Sequence, residues 1–312
     1  MRRLDRMKHP IPMDDLDSIL EKSSLEKVKK IRLIASGIHT TTYLLYTRYG
    51  HYVLTVLKDP NESLNLPLIY QSNAFLTDQG FPIPKVLSSG KIMGKAALLT
   101  TYHEGKVNHP LNSKDYEKIG FLLGNLHLSA QSFDSPISTT PLILNLRYDF
   151  EIVSENLPKE FINLKYYLEE IEKNWPTDLP QGLIHGDIWH KSLLFDNDEI
   201  IALLDYTNPS IDLLIDDLAG LLKGIYFNSD ESKVKKHIDA FLNSYSLCRP
   251  LSPKELSSLN LMITTKLFYT ILFMLKKAQK YPDETNDFYS IAYLNFMKLE
   301  EMQESHMQKM RF

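Results

Sequence analysis

Cysteine is almost missing from this sequence. Cys248 stands alone among 312 residues, so no intrachain disulfide can form and a reducing compartment suits the chain. There is no surplus of positive charge: 35 lysines and arginines face 39 aspartates and glutamates, a formal net charge of −4. That balance gives no electrostatic reason to expect nucleic acid or an anionic membrane as a partner. No apolar run approaches the ~18 residues of a membrane span. The basic start, Met1-Arg2-Arg3-Leu4-Asp5-Arg6, is not followed by the apolar core of a signal sequence. Internal repeats, low-complexity tracts and long linkers are absent as well. A cytoplasmic protein is the expectation. What is present is an ordinary globular composition, 43% apolar and 24% charged, at a length that supports one large domain or two lobes.

Residues 183–206 hold the densest chemistry. They begin Leu183-Ile184-His185-Gly186-Asp187-Ile188-Trp189-His190-Lys191-Ser192 and continue through apolar Leu193-Leu194-Phe195. A turn at Asp196-Asn197-Asp198 then leads to Ile200-Ile201-Ala202-Leu203-Leu204-Asp205-Tyr206. Two apolar runs around such a turn predict a hairpin. The loop before it carries one carboxylate, Asp187, and the returning strand ends on another, Asp205, which the hairpin brings back toward the loop. Either acid alone reads as a solvated turn residue. As a pair they suit phosphoryl transfer, one receiving a hydroxyl proton and the other holding Mg²⁺ on a nucleotide.

These residues resemble the catalytic loop and metal-binding strand of the aminoglycoside phosphotransferase and choline kinase superfamily, small-molecule kinases with a protein-kinase-like fold. The loop of that family reads His-Gly-Asp, four residues, then Asn, and its metal strand reads Ile-Asp-Phe or Ile-Asp-Tyr. His185, Gly186, Asp187, Asp205 and Tyr206 match, and Ser192 stands at the Asn position. Asp216-Asp217-Leu218-Ala219 resembles the family's Tyr-Asp-Leu-Ala element, with Asp216 in place of the tyrosine. The resemblance covers residues 15–225 and is nearest in pattern to bacterial homoserine kinases, through Tyr52-Val53-Leu54-Thr55 and Asn145-Leu146-Arg147-Tyr148-Asp149-Phe150. It implies an α+β, bilobal protein-kinase-like fold. Residues 1–101 would form a small antiparallel-sheet lobe that binds nucleotide, and residues 102–312 a mostly helical lobe for catalysis and the acceptor. It also implies ATP and Mg²⁺ as cofactors and a small-molecule hydroxyl as substrate.

Taken in order, the chain fits that plan. Asp14, Asp15 and Asp17 at one end and Lys27, Lys29 and Lys30 at the other predict a helix over residues 13–30. Runs at 31–35, 41–47 and 51–58, rich in β-branched and aromatic residues, predict three antiparallel strands. A helix over 65–79 is ended by Gly80-Phe81-Pro82-Ile83-Pro84. Strands at 86–89 and 96–101 follow, leading to a hinge at Thr100-Thr101-Tyr102-His103-Glu104-Gly105. Helices are predicted over 113–129, with Ser113 as N-cap, and over 159–175, 213–226, 232–246, 252–279 and 286–308. His127 reads as a packed helix histidine rather than a ligand.

The resemblance assigns roles residue by residue. Asp187 is the catalytic base, His185 fixes the loop, and Asp217 braces the loop backbone. Asp205 and Ser192 take the metal, and Gly37, Thr40, Thr55, Lys58 and Thr101 serve the nucleotide; apart from the resemblance, Asp212 is taken as a candidate acceptor contact. The Gly37 loop read alone is as much a plain turn as a phosphate cover. Three departures surround the phosphates. Ser192 replaces the asparagine, Thr55 stands where many relatives carry a basic residue, and the 65–79 helix holds no glutamate, Glu62 preceding it. Lys58, three residues after Thr55, faces the other side of a regular strand. Two readings result: an active kinase for an amino-alcohol or amino-acid hydroxyl, or a degenerate kinase-like fold that binds without transfer. A third, an aminoglycoside kinase, calls for an acidic acceptor cleft drawn from Asp212, Asp216, Asp217, Asp230 and Glu231.

Overall fold

The computed structural model describes residues 11–25 and 27–309, so the basic start lies outside the described residues. The chain forms two compact units, Met1–Val107 with Leu193–Asn208, and Asn108–Ser192 with Pro209–Phe312.

In the first unit, helix α1 (Met13–Lys22) precedes strands β1 (Lys30–Ser36), β2 (Thr40–Tyr46) and β3 (His51–Leu57). Helix α2 (Leu66–Asp78) and strands β4 (Val86–Ile92) and β5 (Lys95–Thr101) follow. The antiparallel sheet runs β1-β2-β3-β5-β4. The helix expected over 13–30 stops at Lys22. Ser23 Oγ turns back onto the carbonyl of Leu20 at 2.9 Å and Ser24 takes φ 56°, so serine hydroxyl competition ends it where charge patterning alone would continue it. Leu16, Ile19 and Leu20 of α1 pack on Leu45, Leu54, Val56 and Leu99, one face of the sheet, and Ile69 of α2 meets Val86 and Leu98 on the other. Strand alternation makes this possible, since successive residues of β3 point to opposite faces. The β4–β5 pair runs further than residues 86–89 because Met93 and Gly94 (φ 51° and 78°) form a two-residue turn of the hand that matches strand twist.

In the second unit, helices α3 (Ser113–Ala130), α4 (Leu142–Ser154) and α5 (Leu164–Lys173) lead to strand β6 (Gln181–Ile184). The hairpin β7 (Leu193–Asp196) and β8 (Glu199–Leu203) comes next in the chain, and β9 (Ser210–Leu213) then returns to pair with β6. Helices α6 (Ile215–Asn228), α7 (Glu231–Cys248), α8 (Pro253–Lys280) and α9 (Thr285–Lys309) complete the unit. The cap of α3 is Asn112 rather than Ser113: its side chain accepts from Lys114 and Asp115, while Asp115 accepts from the Asn112 amide. Helix α8 opens with a second such box, Ser252 and Glu255 around Pro253. By length and composition α8 could cross a membrane, contrary to the expectation of no such run. Within the fold, 61% of its apolar window is buried, and it packs on α4, α6 and α9 as a core helix does.

Helices α3 and α7 meet through Gly120 and Gly124. A Cβ on Gly120 would overlap the carbonyl oxygen of Phe241 and come within 3.0 Å of the Tyr245 nitrogen, backbone atoms that cannot swing aside. Gly120→Ala is therefore expected to pry the two helices apart at a cost of about 1–3 kcal/mol. Urea unfolding reads this as a lowered midpoint, and an unchanged midpoint would contradict the packing.

The hairpin turns through Asn197 and Asp198 (φ 45° and 66°), residue types that tolerate the left-handed region. It lies with the first unit: Phe195 exchanges backbone hydrogen bonds of 2.9 and 2.7 Å with Lys106, and the Leu203 amide donates to the Pro82 carbonyl at 2.6 Å. Gly105 allows the crossing, since a Cβ there would stand 2.7 Å from Ile201 Cδ1 and 3.1 Å from the Phe195 carbonyl oxygen.

Candidate active site

Strand β6 delivers a loop in which burial alternates sharply. His185 is fully buried, Asp187 is exposed and Ile188 is buried again. Gly186 takes φ 84°, a conformation open to glycine and costly to most residues, which turns the chain between them. The first turn of α6 holds this shape. Asp217 Oδ2 accepts the His185 amide at 2.8 Å, and Oδ1 accepts the Gly186 amide at 2.9 Å. His127 Nε2 stands 3.3 Å from Oδ2, and the Nδ1 atom of the same ring stands 2.9 Å from the Tyr245 hydroxyl. Arg249 then donates to Tyr245 at 3.0 Å and to Glu255 at 2.7 Å. Within the loop, the Asp187 amide donates to His185 Nδ1 at 3.3 Å. Burial works to raise the Asp217 carboxyl. Hydrogen bonding by His127, the positive fields of His127 and His185, and the His185 amide outweigh it and hold the group below the usual range.

Around Asp187 the second unit sets cations that sequence reasoning missed. Lys266 of α8 donates to Asp216 Oδ2 at 2.5 Å and reaches the Gly186 carbonyl at 3.5 Å. Burial pushes Asp216 up to about 6 against the pull of Lys266, and Asp217 and Asp212 add to the rise. Lys266 is opposed by burial but held above its ordinary value by Asp216. Lys223 of α6 donates to Thr270 Oγ1 at 2.7 Å. Burial and the nearby Lys266 bring it down to about 8, with Asp187 and Asp216 opposing the fall. Tyr269 is pushed up to about 12 by burial and then by the negative field of Asp187. Helix α6 approaches the loop so closely at Gly220 that a Cβ there would lie 3.2 Å from the Ile188 carbonyl oxygen. The signal was in the sequence: Lys223 after Leu221-Leu222, and Lys266 before Leu267-Phe268, are lone cations in apolar helix stretches.

The remaining candidates divide among the units. Ser192 ends a 3-10 turn, His190–Ser192, and is fully buried. Its Oγ and the Nδ1 of His190 have no hydrogen-bond partner, a costly state for buried polar atoms. His190 is held down at about 4 by burial, then by the positive charges of His109 and Lys191. Asp205, in the first unit, is exposed and takes φ 60°, two residues past β8. Aspartate, like Asn197 and Asp198, is a residue type that tolerates this left-handed region. Asp212, assigned to the acceptor above, gives Oδ2 to the Leu142 amide and Oδ1 to the Leu213 amide, each at 2.8 Å. It thereby closes the start of α4, where Pro141 has no side chain able to cap.

Gly37, Thr40, Thr55 and Lys58 gather at one end of the first unit's sheet. The Gly37 amide donates to the Thr40 carbonyl, Thr40 pairs with Leu57, and the Lys58 amide donates to the His39 carbonyl. Thr55 lies opposite Thr42 on the face away from α1. Thr101 sits at the other end of β3, opposite Tyr52, with its hydroxyl accepting the Lys85 amide at 2.9 Å. Glu62 Oε2 lies 3.4 Å from His39 Nδ1. In α2 the buried polar residues are Ser72, whose hydroxyl donates to the Leu68 carbonyl, and Asn73, which clamps the backbone of Pro84 and Val86.

Residues 30–251 match the phosphotransferase enzyme family. The chain belongs to that family. A homoserine kinase of Bartonella henselae is 28% identical to this phosphotransferase over 264 residues, spanning 81% of this chain and 82% of that one. Among solved structures, amicoumacin kinase hAmiN in complex with AMP-PNP, Ca²⁺ and Ami superposes with a TM-score of 0.74 at 14% identity, over 92% of this chain and 93% of that one. Choline kinase LicA from Streptococcus pneumoniae gives a TM-score of 0.69 at 15% identity, over 92% and 99%. These likenesses show the α+β, protein-kinase-like fold of the phosphotransferase, with a small antiparallel-sheet lobe and a mostly helical one.

Proposed function

We propose that this phosphotransferase moves the terminal phosphoryl group of Mg²⁺-bound ATP to the hydroxyl of a small acceptor of the homoserine or amino-alcohol type, with Asp187 taking the hydroxyl proton. One observation carries the reading. Asp217 spends both carboxylate oxygens on the His185 and Gly186 amides, fixing the backbone that presents exposed Asp187. A buried carboxylate used in this way preorganises its neighbour for chemistry. The homoserine kinase of Bartonella henselae, at 28% identity, supports the acceptor class.

Residues for a metal are present by type. Asp205 is an exposed carboxylate, and Ser192 Oγ is a buried hard oxygen still lacking a partner. Among the described residues no three His, Cys, Asp or Glu side chains gather into a metal cage. That suits Mg²⁺, which binds through one or two carboxylates and keeps waters and phosphate oxygens as its other ligands. When bound, the ion would neutralise charge on the phosphates. Gly37, Thr40, Thr55, Lys58 and Thr101 serve the nucleotide in this reading. The first unit, which runs on past the expected boundary at 101 to Val107 and takes in residues 193–208 with Asp205, forms its lobe, and the second unit the acceptor's.

Binding without transfer is the second reading. It is favoured by Thr55 within β3, where many relatives carry a basic residue, and by the absence of a glutamate from α2. Four of the five acids on which the aminoglycoside reading would draw, all but Glu231, already have partners. Asp212 and Asp217 are spent on backbone amides, Asp216 on Lys266 and Asp230 on Lys233. The test is ADP release measured with homoserine, choline-like alcohols and aminoglycosides, with and without Mg²⁺. Release that requires both the metal and an acceptor is expected. A thermal shift with Mg²⁺-ATP but no release from the panel would establish the second reading instead.

A further inference from the structure

Lys223 has no charge partner that the fold requires. Lys266 is consumed by Asp216, Lys276 by Asp149 and Arg249 by Glu255. Among the described residues Lys223 pairs with no carboxylate, and its ammonium meets only the Thr270 hydroxyl, which itself donates to the Lys266 carbonyl at 2.8 Å. An ammonium has three protons to give, so two remain for something else. On α6, Asp216, Gly220 and Lys223 fall on one helix face. Gly220 is where the loop backbone presses on that face, so Lys223 emerges one turn beyond the loop that presents Asp187. The groups facing it are Lys266 and Thr270 from α8, Asp187 from the loop and Asp216 from its own helix. Holding a second ammonium near Lys266 and largely out of water opposes folding, and an apolar residue here would be cheaper. The residue as a whole is half-buried, and the cost is met on the helix face that turns toward the loop carrying Asp187.

We infer that Lys223 selects the acceptor: its ammonium binds the carboxylate of a hydroxy acid or amino acid whose hydroxyl lies at Asp187, and it disfavours cationic acceptors such as quaternary-ammonium alcohols and aminoglycosides. This deepens the function proposed above and rests on it.

The experiment compares kcat and KM for L-homoserine and for its carboxamide in the wild type, Lys223→Met and Lys223→Arg, with folding followed by urea midpoint. The wild type is expected to prefer the acid at least tenfold. In Lys223→Met the KM for the acid should rise on the order of 30-fold, the worth of one charge-assisted contact, and the acid-to-amide ratio should collapse toward one. Lys223→Arg should keep the preference. A purely structural role would not produce this split, nor its pH signature. Lysine is a cation below its pKa, so the KM for the acid alone should climb as pH rises past about 8. An acid preference that survives Lys223→Met overturns the inference. So does a wild type that uses the amide, choline or kanamycin as well as any acid, an outcome that leaves the kinase reading standing. Absence of ADP release with every acceptor defeats both.

Discussion

Asp187→Asn lowers kcat by about 10²–10⁴-fold, the usual contribution of a positioned general base. The amide is nearly isosteric with the carboxylate but cannot take the proton of the attacking hydroxyl. The loop itself does not depend on the side chain, because its shape comes from Asp217 acting on the His185 and Gly186 amides and from the left-handed turn at Gly186. The Asp187 side chain is exposed, so its replacement leaves the core untouched. The variant should therefore unfold at the wild-type urea midpoint and still show a thermal shift with Mg²⁺-ATP. A variant keeping a third or more of the wild-type kcat would remove Asp187 from the role of base.

Asp217→Ala acts through a different link of the chain. It deletes the acceptor for two loop amides and for His127, with His127, His185 and Asp217 buried and Gly186 half-buried. Removing one member of a buried hydrogen-bonded charge pair costs about 3–5 kcal/mol, since the partners are left unsatisfied. The urea midpoint should fall accordingly, and kcat should fall further than loss of folded protein explains, because the backbone before Asp187 is released. Asp217→Asn retains one acceptor oxygen but turns an amide NH₂ toward a backbone N–H, so an intermediate loss is expected. The acid limb gives a second readout. The folded-state pKa of Asp217 is depressed, so the stability it contributes is present above the ordinary carboxylate range and is lost as pH falls below that range through the lower folded-state value. Wild-type unfolding in acid should show this loss, and Asp217→Ala should show less of it. A fully stable, fully active Asp217→Ala would contradict the account.

Sequence and structure agree where local chemistry decides geometry. The hairpin after Ser192 was legible because Asn197 and Asp198 are types that accept positive φ, and both do. His185-Gly186-Asp187 was legible because only glycine turns that corner easily. Less was legible where a partner far along the chain decides. Nothing in the sequence told that Asp212, a candidate acceptor contact, also holds the amide of Leu142, 70 residues away, at the start of α4. The helix expected over 13–30 followed a charge gradient that two serines override at Lys22. Lys223 and Lys266 were visible as lone cations in apolar helices. Their meaning needed the packing of α6 against α8, which sets one ammonium on Asp216 and leaves the other on a threonine hydroxyl.

The central claim is transfer of phosphate to an acceptor hydroxyl, and detection of the phosphorylated product tests it most directly. Incubation of the full chain with ATP, Mg²⁺ and L-homoserine should yield a phosphate monoester on the homoserine hydroxyl, observed by mass spectrometry, in step with ADP release. The product should be missing without Mg²⁺ and nearly missing in Asp187→Asn. Binding of Mg²⁺-ATP with no phosphorylated product from homoserine, related hydroxy amino acids or amino alcohols would contradict the claim.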